Sequence, residues 1–133
     1  MALLLNKGAC PRTKRQILKP ETVNQMLTNQ IPSYPIYHNT PSKSAKPELA
    51  NDCPVLPKAG NPSNGWGLTF ALSHQENPET GRAAGSASWE GLANLFWFAD
   101  RTNGVAIIVG TQILPYGGEY RHISSDDSFG RFD

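Results

Sequence analysis

The chain has 133 residues, and its 12 basic and 11 acidic side chains leave a net charge of +1. No general field therefore draws in nucleic acid or an anionic membrane. The length suffices for one domain, but only 38% of residues are hydrophobic, and most of these lie at the N-terminus and after residue 65. No stretch approaches the ~18 apolar residues of a membrane span. Met1-Ala2-Leu3-Leu4-Leu5 is ended at once by Asn6, Lys7 and Gly8, too early for a signal peptide. With no mark of secretion, a cytoplasmic location is expected.

Taken in chain order, residues 1–9 read as the end of a helix. Leucines and alanine favour it, and Gly8 stands where a C-cap glycine belongs. A chain seldom starts on the tail of a helix, so the start is expected to be cut from something longer. Lys7, Arg12, Lys14, Arg15 and Lys19 read as a solvated loop and helix start rather than a nucleic-acid patch. Cys10 and Cys53 make neither a disulfide framework nor a metal pattern and are expected as free thiols. A short helix is predicted over 16–30. Pro20 and Glu21 suit its first turn, Val23, Met26 and Leu27 form an apolar stripe, and Pro32 stops it.

Residues 31–64 hold seven prolines and no periodicity. They predict a long loop that crosses over or lines something else. From residue 65 the pattern becomes strand-like. Trp66, Leu68, Phe70 and Leu72 alternate with small residues, which predicts one strand with a large-residue face. A second strand is predicted over about 86–99. Asp100-Arg101-Thr102-Asn103-Gly104 predicts a hairpin turn. Val105–Leu114 is apolar on both faces, as for a central strand covered on both sides. Residues 116–133 show neither periodicity and predict a disordered tail.

Three ordered segments carry a resemblance. They are Gly65-Trp66-Gly67-Leu68-Thr69-Phe70-Ala71-Leu72-Ser73, Gly85 to Asp100, and Gly104 to Pro115. In order and wording they resemble the last antiparallel strands of the serine β-lactamase and penicillin-binding-protein superfamily, above all its esterase and transesterase branch with its fungal members. Arg15-Gln16-Ile17-Leu18-Lys19-Pro20-Glu21-Thr22-Val23 resembles a helix start of the same family. The resemblance implies an α/β (α+β) domain with an antiparallel sheet and flanking helices. Residues 1–115 would be its C-terminal part, with the family's terminal helix missing. The implied chemistry is ester hydrolysis or acyl transfer through a serine, without a metal or other cofactor. The implied substrate is a small-molecule ester or acyl thioester, with no nucleic-acid or membrane partner.

That chemistry needs a Ser-x-x-Lys nucleophile. No serine of this chain has a lysine three residues on, so no catalytic nucleophile is assigned. Tyr37-His38-Asn39 matches a second family motif, Tyr-x-Asn, only by its letters. The family's third motif edges the site, where a strand N–H helps form the oxyanion hole. Alignment through Phe98-Ala99-Asp100 places Trp89-Glu90-Gly91 on its Trp-Gly-Gly form, with Glu90 departing. Trp89, Ser86, Ser88 and Gly91 are therefore the expected substrate-binding residues, with Trp89 covering an acyl group. A packing role for Trp89 against Trp97 or Phe96 stands beside that reading. Ser73, His74 and Asp100 lack the elbow motif of a triad, and His38, His74 and His122 are spaced like no metal site. Two functions remain: part of an acyl-transfer enzyme completed in trans, from a split or truncated gene, or a non-catalytic remnant or binding module.

Overall fold

The structure, a computed structural model, describes residues 1–32, 43–52 and 64–117. Tyr37-His38-Asn39, Cys53 and His122 lie outside the described residues. Among the described residues, five antiparallel strands form one sheet in the order β1-β2-β3-β4-β5, and two short helices precede it. The strands are β1 (Asn64–Trp66), β2 (Ala71–Ser73), β3 (Ala87–Gly91), β4 (Leu95–Asp100) and β5 (Val105–Val109).

Two of the expected single strands are hairpins. The alternating run 65–73 folds back on itself, with Asn64 opposite Ser73 and Trp66 opposite Ala71. The Gly67 N–H donates to Phe70 O at 2.9 Å, and Thr69 takes a φ of +81°. Such a turn normally advertises itself with glycine or asparagine at the positive-φ position; a threonine there is uncommon and hides the turn within a strand-like pattern. Leu68 consequently sits at the turn, 43% exposed, while Phe70 is 2% exposed in the core. The run 86–99 likewise breaks at Leu92-Ala93-Asn94, with Asn94 at φ +56°, a conformation asparagine tolerates. The expected turn after Asp100 is present and joins β4 to β5.

The expectation of a central third strand is corrected too. β5 ends at Val109 and lies at the edge of the sheet. Ile108 is 60% exposed and Val105 also faces solvent. An apolar run on both faces shows that both faces accept apolar neighbours; it does not place a strand on each side.

The helices are shorter than their patterns. α1 covers Ala2–Leu5 and α2 covers Pro20–Met26, with Pro20 in the first turn. Gly8, at φ +87°, does follow α1 as expected, and its N–H donates to Leu3 O at 2.7 Å. α2 stops because its end is taken up by the β1–β2 hairpin. Leu68 N–H donates to Met26 O, Gln30 N–H to Trp66 O, and Trp66 N–H to the Asn29 carboxamide oxygen. Gly67 is required there, since a Cβ would collide with Met26 O and crowd the Phe70 ring.

The core lies between one sheet face and the two helices. Leu4, Val23, Phe70, Leu72, Ala87 and Ala99 are buried together, with Leu18, Met26, Leu27, Trp97 and Ala106 packed against them. Phe70 meets Trp97 edge to face at 5.7 Å. Burying each of the larger aliphatic or aromatic side chains is worth roughly 1.5–3 kcal/mol. On the opposite face, Phe96 stacks on Tyr116 at 6.2 Å, and the Arg82 guanidinium covers Phe98. Tyr116 is tied in turn to the 49–51 segment, through Tyr116 N–H to Leu49 O at 2.8 Å and Asn51 N–H to Tyr116 O at 2.9 Å.

The hairpin reading predicts unequal costs for two residues of the same alternating run. Phe70→Ala is expected to lower unfolding free energy by about 3–5 kcal/mol, and Leu68→Ala by less than about 0.5 kcal/mol. Urea titrations of the two variants compare them directly; equal losses would contradict a turn at Leu68-Thr69.

Candidate functional site

The site expected from sequence falls on β3, and the structure treats its four residues differently. Ser86 precedes the strand and is buried, 2% exposed, with its hydroxyl donating to Ala83 O at 2.6 Å. That bond holds the turn which delivers the chain into β3. Ala87, Trp89 and Gly91 alternate onto one face of the strand, and Ser88 points to the other, opposite Phe98 of β4. Trp89 and Gly91 are thus brought together, whereas Ser86 and Ser88 are not added to their face.

The surroundings of Trp89 are open. β2 pairs with β3 only through Ala71–Ser88 and Leu72–Ala87. From Trp89 onward, no strand among the described residues flanks β3 on that side. Trp89 is 42% exposed and meets Trp66 edge to face at 5.0 Å, a geometry favoured by the ring quadrupoles. Across the ladder it stands opposite Trp97. A Cβ at Gly91 would meet nothing within 4 Å, so a ligand can approach the backbone there. The result is an apolar platform of two indoles at the end of a strand edge.

Two clamps that sequence reasoning missed fix this edge. At the far end, the β3–β4 loop is tied to the chain after β5. The Asn94 carboxamide donates to Ile113 O at 2.8 Å and accepts from Gly117 N–H at 2.9 Å, and the Thr111 hydroxyl donates to Ala93 O at 2.6 Å. At the near end stands Asp100, 2% exposed. Its carboxylate accepts from the N–H groups of Ala83, Thr102 and Asn103 and from the Asn103 carboxamide. Burial pushes this carboxyl up, but the bonds from Asn103, Ala83 and Thr102 together outweigh it and hold the group below its ordinary value of 3.8. An aspartate opening a turn is a visible signal; its reach back to Ala83 is not.

Other candidates do not assemble. Ser73 Oγ donates to Gln75 O, and the Asp100 carboxylate is taken up at the turns, so Ser73, His74 and Asp100 form no triad. His74 instead packs over Gly65 beside Asn29. Cys10 is a free thiol. Among the described residues no three His, Cys, Asp or Glu side chains gather in a way that could hold a metal ion, and no helix is long and apolar enough to cross a membrane.

Comparison with solved structures gives the arrangement a context. A mutant of the simvastatin synthase LovD from Aspergillus terreus superposes with a TM-score of 0.54 at 21% identity, covering 89% of this chain and 27% of that one. Unliganded LovD gives 0.54 at 18%, with 89% and 28% covered. EstCE1, a hydrolase with promiscuous acyltransferase activity, gives 0.51 at 17%, with 90% and 25% covered. The fold matches that of the corresponding part of these neighbours over most of this chain. At these identities the likeness concerns the fold alone, and the chain spans about a quarter of the length of these neighbours. No protein-family model and no curated protein matches the sequence.

The depressed Asp100 carboxyl has a pH signature. Because it titrates lower folded than unfolded, its stabilisation is fully present above the ordinary value of 3.8 and is lost as the pH falls through the folded value. Wild type is expected to exceed Asp100→Asn in thermal midpoint near neutral pH, and the two are expected to converge on acidification. Midpoints measured from about pH 7 down to about pH 2.5 would show it; a constant gap would contradict the assignment.

Proposed function

We propose that this chain supplies the strand-edge portion of a serine acyl-hydrolase or acyltransferase site, with the nucleophile carried by a separate polypeptide segment. The observation that supports this best is the β3 edge beyond Ser88. There an exposed indole stands beside a glycine with open space before it, and both hairpin ends are clamped. Such an edge fits an acyl carbonyl. The carbonyl lies beside the open space at Gly91, and the acyl chain lies on Trp89 and Trp66. Ser86 and Ser88 contribute by setting the path of the strand. The substrate class is a small ester or acyl thioester. The nucleophile would form an ester with the acyl group and expel the alcohol or thiol, and water or a second alcohol would then take the acyl group.

A second reading is a non-catalytic binding module that kept the strands, and the absence of Ser-x-x-Lys from the sequence is common to both. Both readings predict that the purified chain shows no stoichiometric burst with an activated short-chain ester or a β-lactam. They part when the chain is co-expressed with a polypeptide bearing Ser-x-x-Lys and Tyr-x-Asn. The enzyme reading expects acyl transfer to emerge, and Trp89→Phe to lower its rate about tenfold or more, equivalent to at least ~1.4 kcal/mol in the barrier, with little change in thermal midpoint. If Trp89→Phe alters only stability, Trp89 is a packing residue and the assignment fails.

A further inference from the structure

We infer that Asn103 is a self-modification site, whose slow conversion to a carboxylate releases the turns at the near end of β3. In Asn103-Gly104 the glycine lacks a Cβ and lets the carboxamide approach the following backbone nitrogen closely. Both residues are exposed at the β4–β5 turn, and the Gly104 N–H makes no hydrogen bond among the described residues. The Gly104 nitrogen can attack Asn103 Cγ, close a succinimide and expel the side-chain nitrogen as ammonia. Water then opens that ring at either carbonyl, giving aspartate or isoaspartate. One water is consumed and one ammonia released, and every reacting protein atom belongs to two adjacent residues. The reaction therefore calls for no partner and no catalytic role of this chain.

The fold both guards this carboxamide and gives its loss a consequence. Asn103 Nδ2 donates to Asp100 Oδ2 at 2.8 Å and to Gly81 O at 3.1 Å. These bonds restrain the rotation that would bring Cγ to the Gly104 nitrogen. After conversion an oxygen stands where Nδ2 stood. It faces a buried carboxylate, 2% exposed, on one side and a carbonyl on the other, so both contacts turn from attractive to repulsive. Asp100 Oδ2 also accepts from Ala83 N–H at 2.8 Å. Displacing it frees Ala83, whose carbonyl holds the Ser86 hydroxyl at the entry to β3. One exposed amide thus acts as a one-way latch on that end of the strand.

Two measurements on the full chain test this. In the first, Asn103→Asp stands for the product. Its thermal midpoint at neutral pH is expected at least about 4 °C below that of wild type. Asn103→Ala, which loses the bonds but adds no charge, is expected between the two. An Asn103→Asp midpoint equal to or above that of Asn103→Ala would overturn the latch. In the second, wild type is held in mildly alkaline buffer, either folded or unfolded in guanidinium chloride. Peptide mapping by mass spectrometry, with isoaspartyl methylation, then reads residue 103. Conversion is expected in both samples and about tenfold slower in the folded one, the worth of one hydrogen bond to a charged group. No conversion in the folded chain, or conversion as fast as in the unfolded one, would overturn the guarded site. Circular dichroism checks that the variants fold; should both fail, the second measurement decides alone.

Discussion

Everything described here depends on one packing contact, the seating of Val23 and the end of α2 against the face formed by Phe70, Leu72, Ala87 and Ala99. The two helices span only four and seven residues, lengths that do not hold a helix in water on their own. They persist because their apolar sides are buried against the sheet. The sheet in turn gains a covered face, without which a few short strands are at best marginal. α2 also organises the first hairpin directly, because Met26 O and the Asn29 carboxamide take backbone N–H groups from Leu68 and Trp66. The contact that stabilises the fold is thus the one that sets Trp66 beside Trp89.

The candidate site depends on the same logic at one remove. β3 is tethered at its start by Ser86 and Asp100, and at its far end by Asn94 and Thr111. Buried or half-buried polar side chains that spend their hydrogen bonds on main-chain groups lower local freedom. An edge that holds a ligand in one orientation needs this. The open face at Gly91 and the exposed indole lie between the clamps, so the rigid and the accessible parts of the strand are segregated.

Some of this was legible before any coordinates. Pro20 at a helix start, Gly8 after a helix end and the turn after Asp100 follow from local chemistry, which is written in neighbouring residues, whereas the antiparallel succession beyond residue 64 is what the resemblance implies. The residue patterns across the hairpins at Leu68-Thr69 and Leu92-Asn94 are those of continuous strands. Period-two alternation survives a tight turn, and Thr69 occupies a conformation that glycine usually marks. Seen in the fold, one run became two strands and Leu68 moved from an inferred core to the surface.

The sequence by itself determined the strand-like run beyond residue 64, the turn after Asp100 and the absence of Ser-x-x-Lys, which are properties of residue type and spacing; the class of structure and the expectation of a site on β3 rested on the resemblance. Only the tertiary structure decided that Trp89 leans on Trp66, that the Ser86 hydroxyl is spent on Ala83, that Asp100 reaches back across seventeen residues, and that β5 is an edge rather than a centre. Each is a contact between distant parts of the chain. An apolar strand carries the same letters whether one neighbour or two lie beside it, because strand pairing is made by backbone groups that every residue shares.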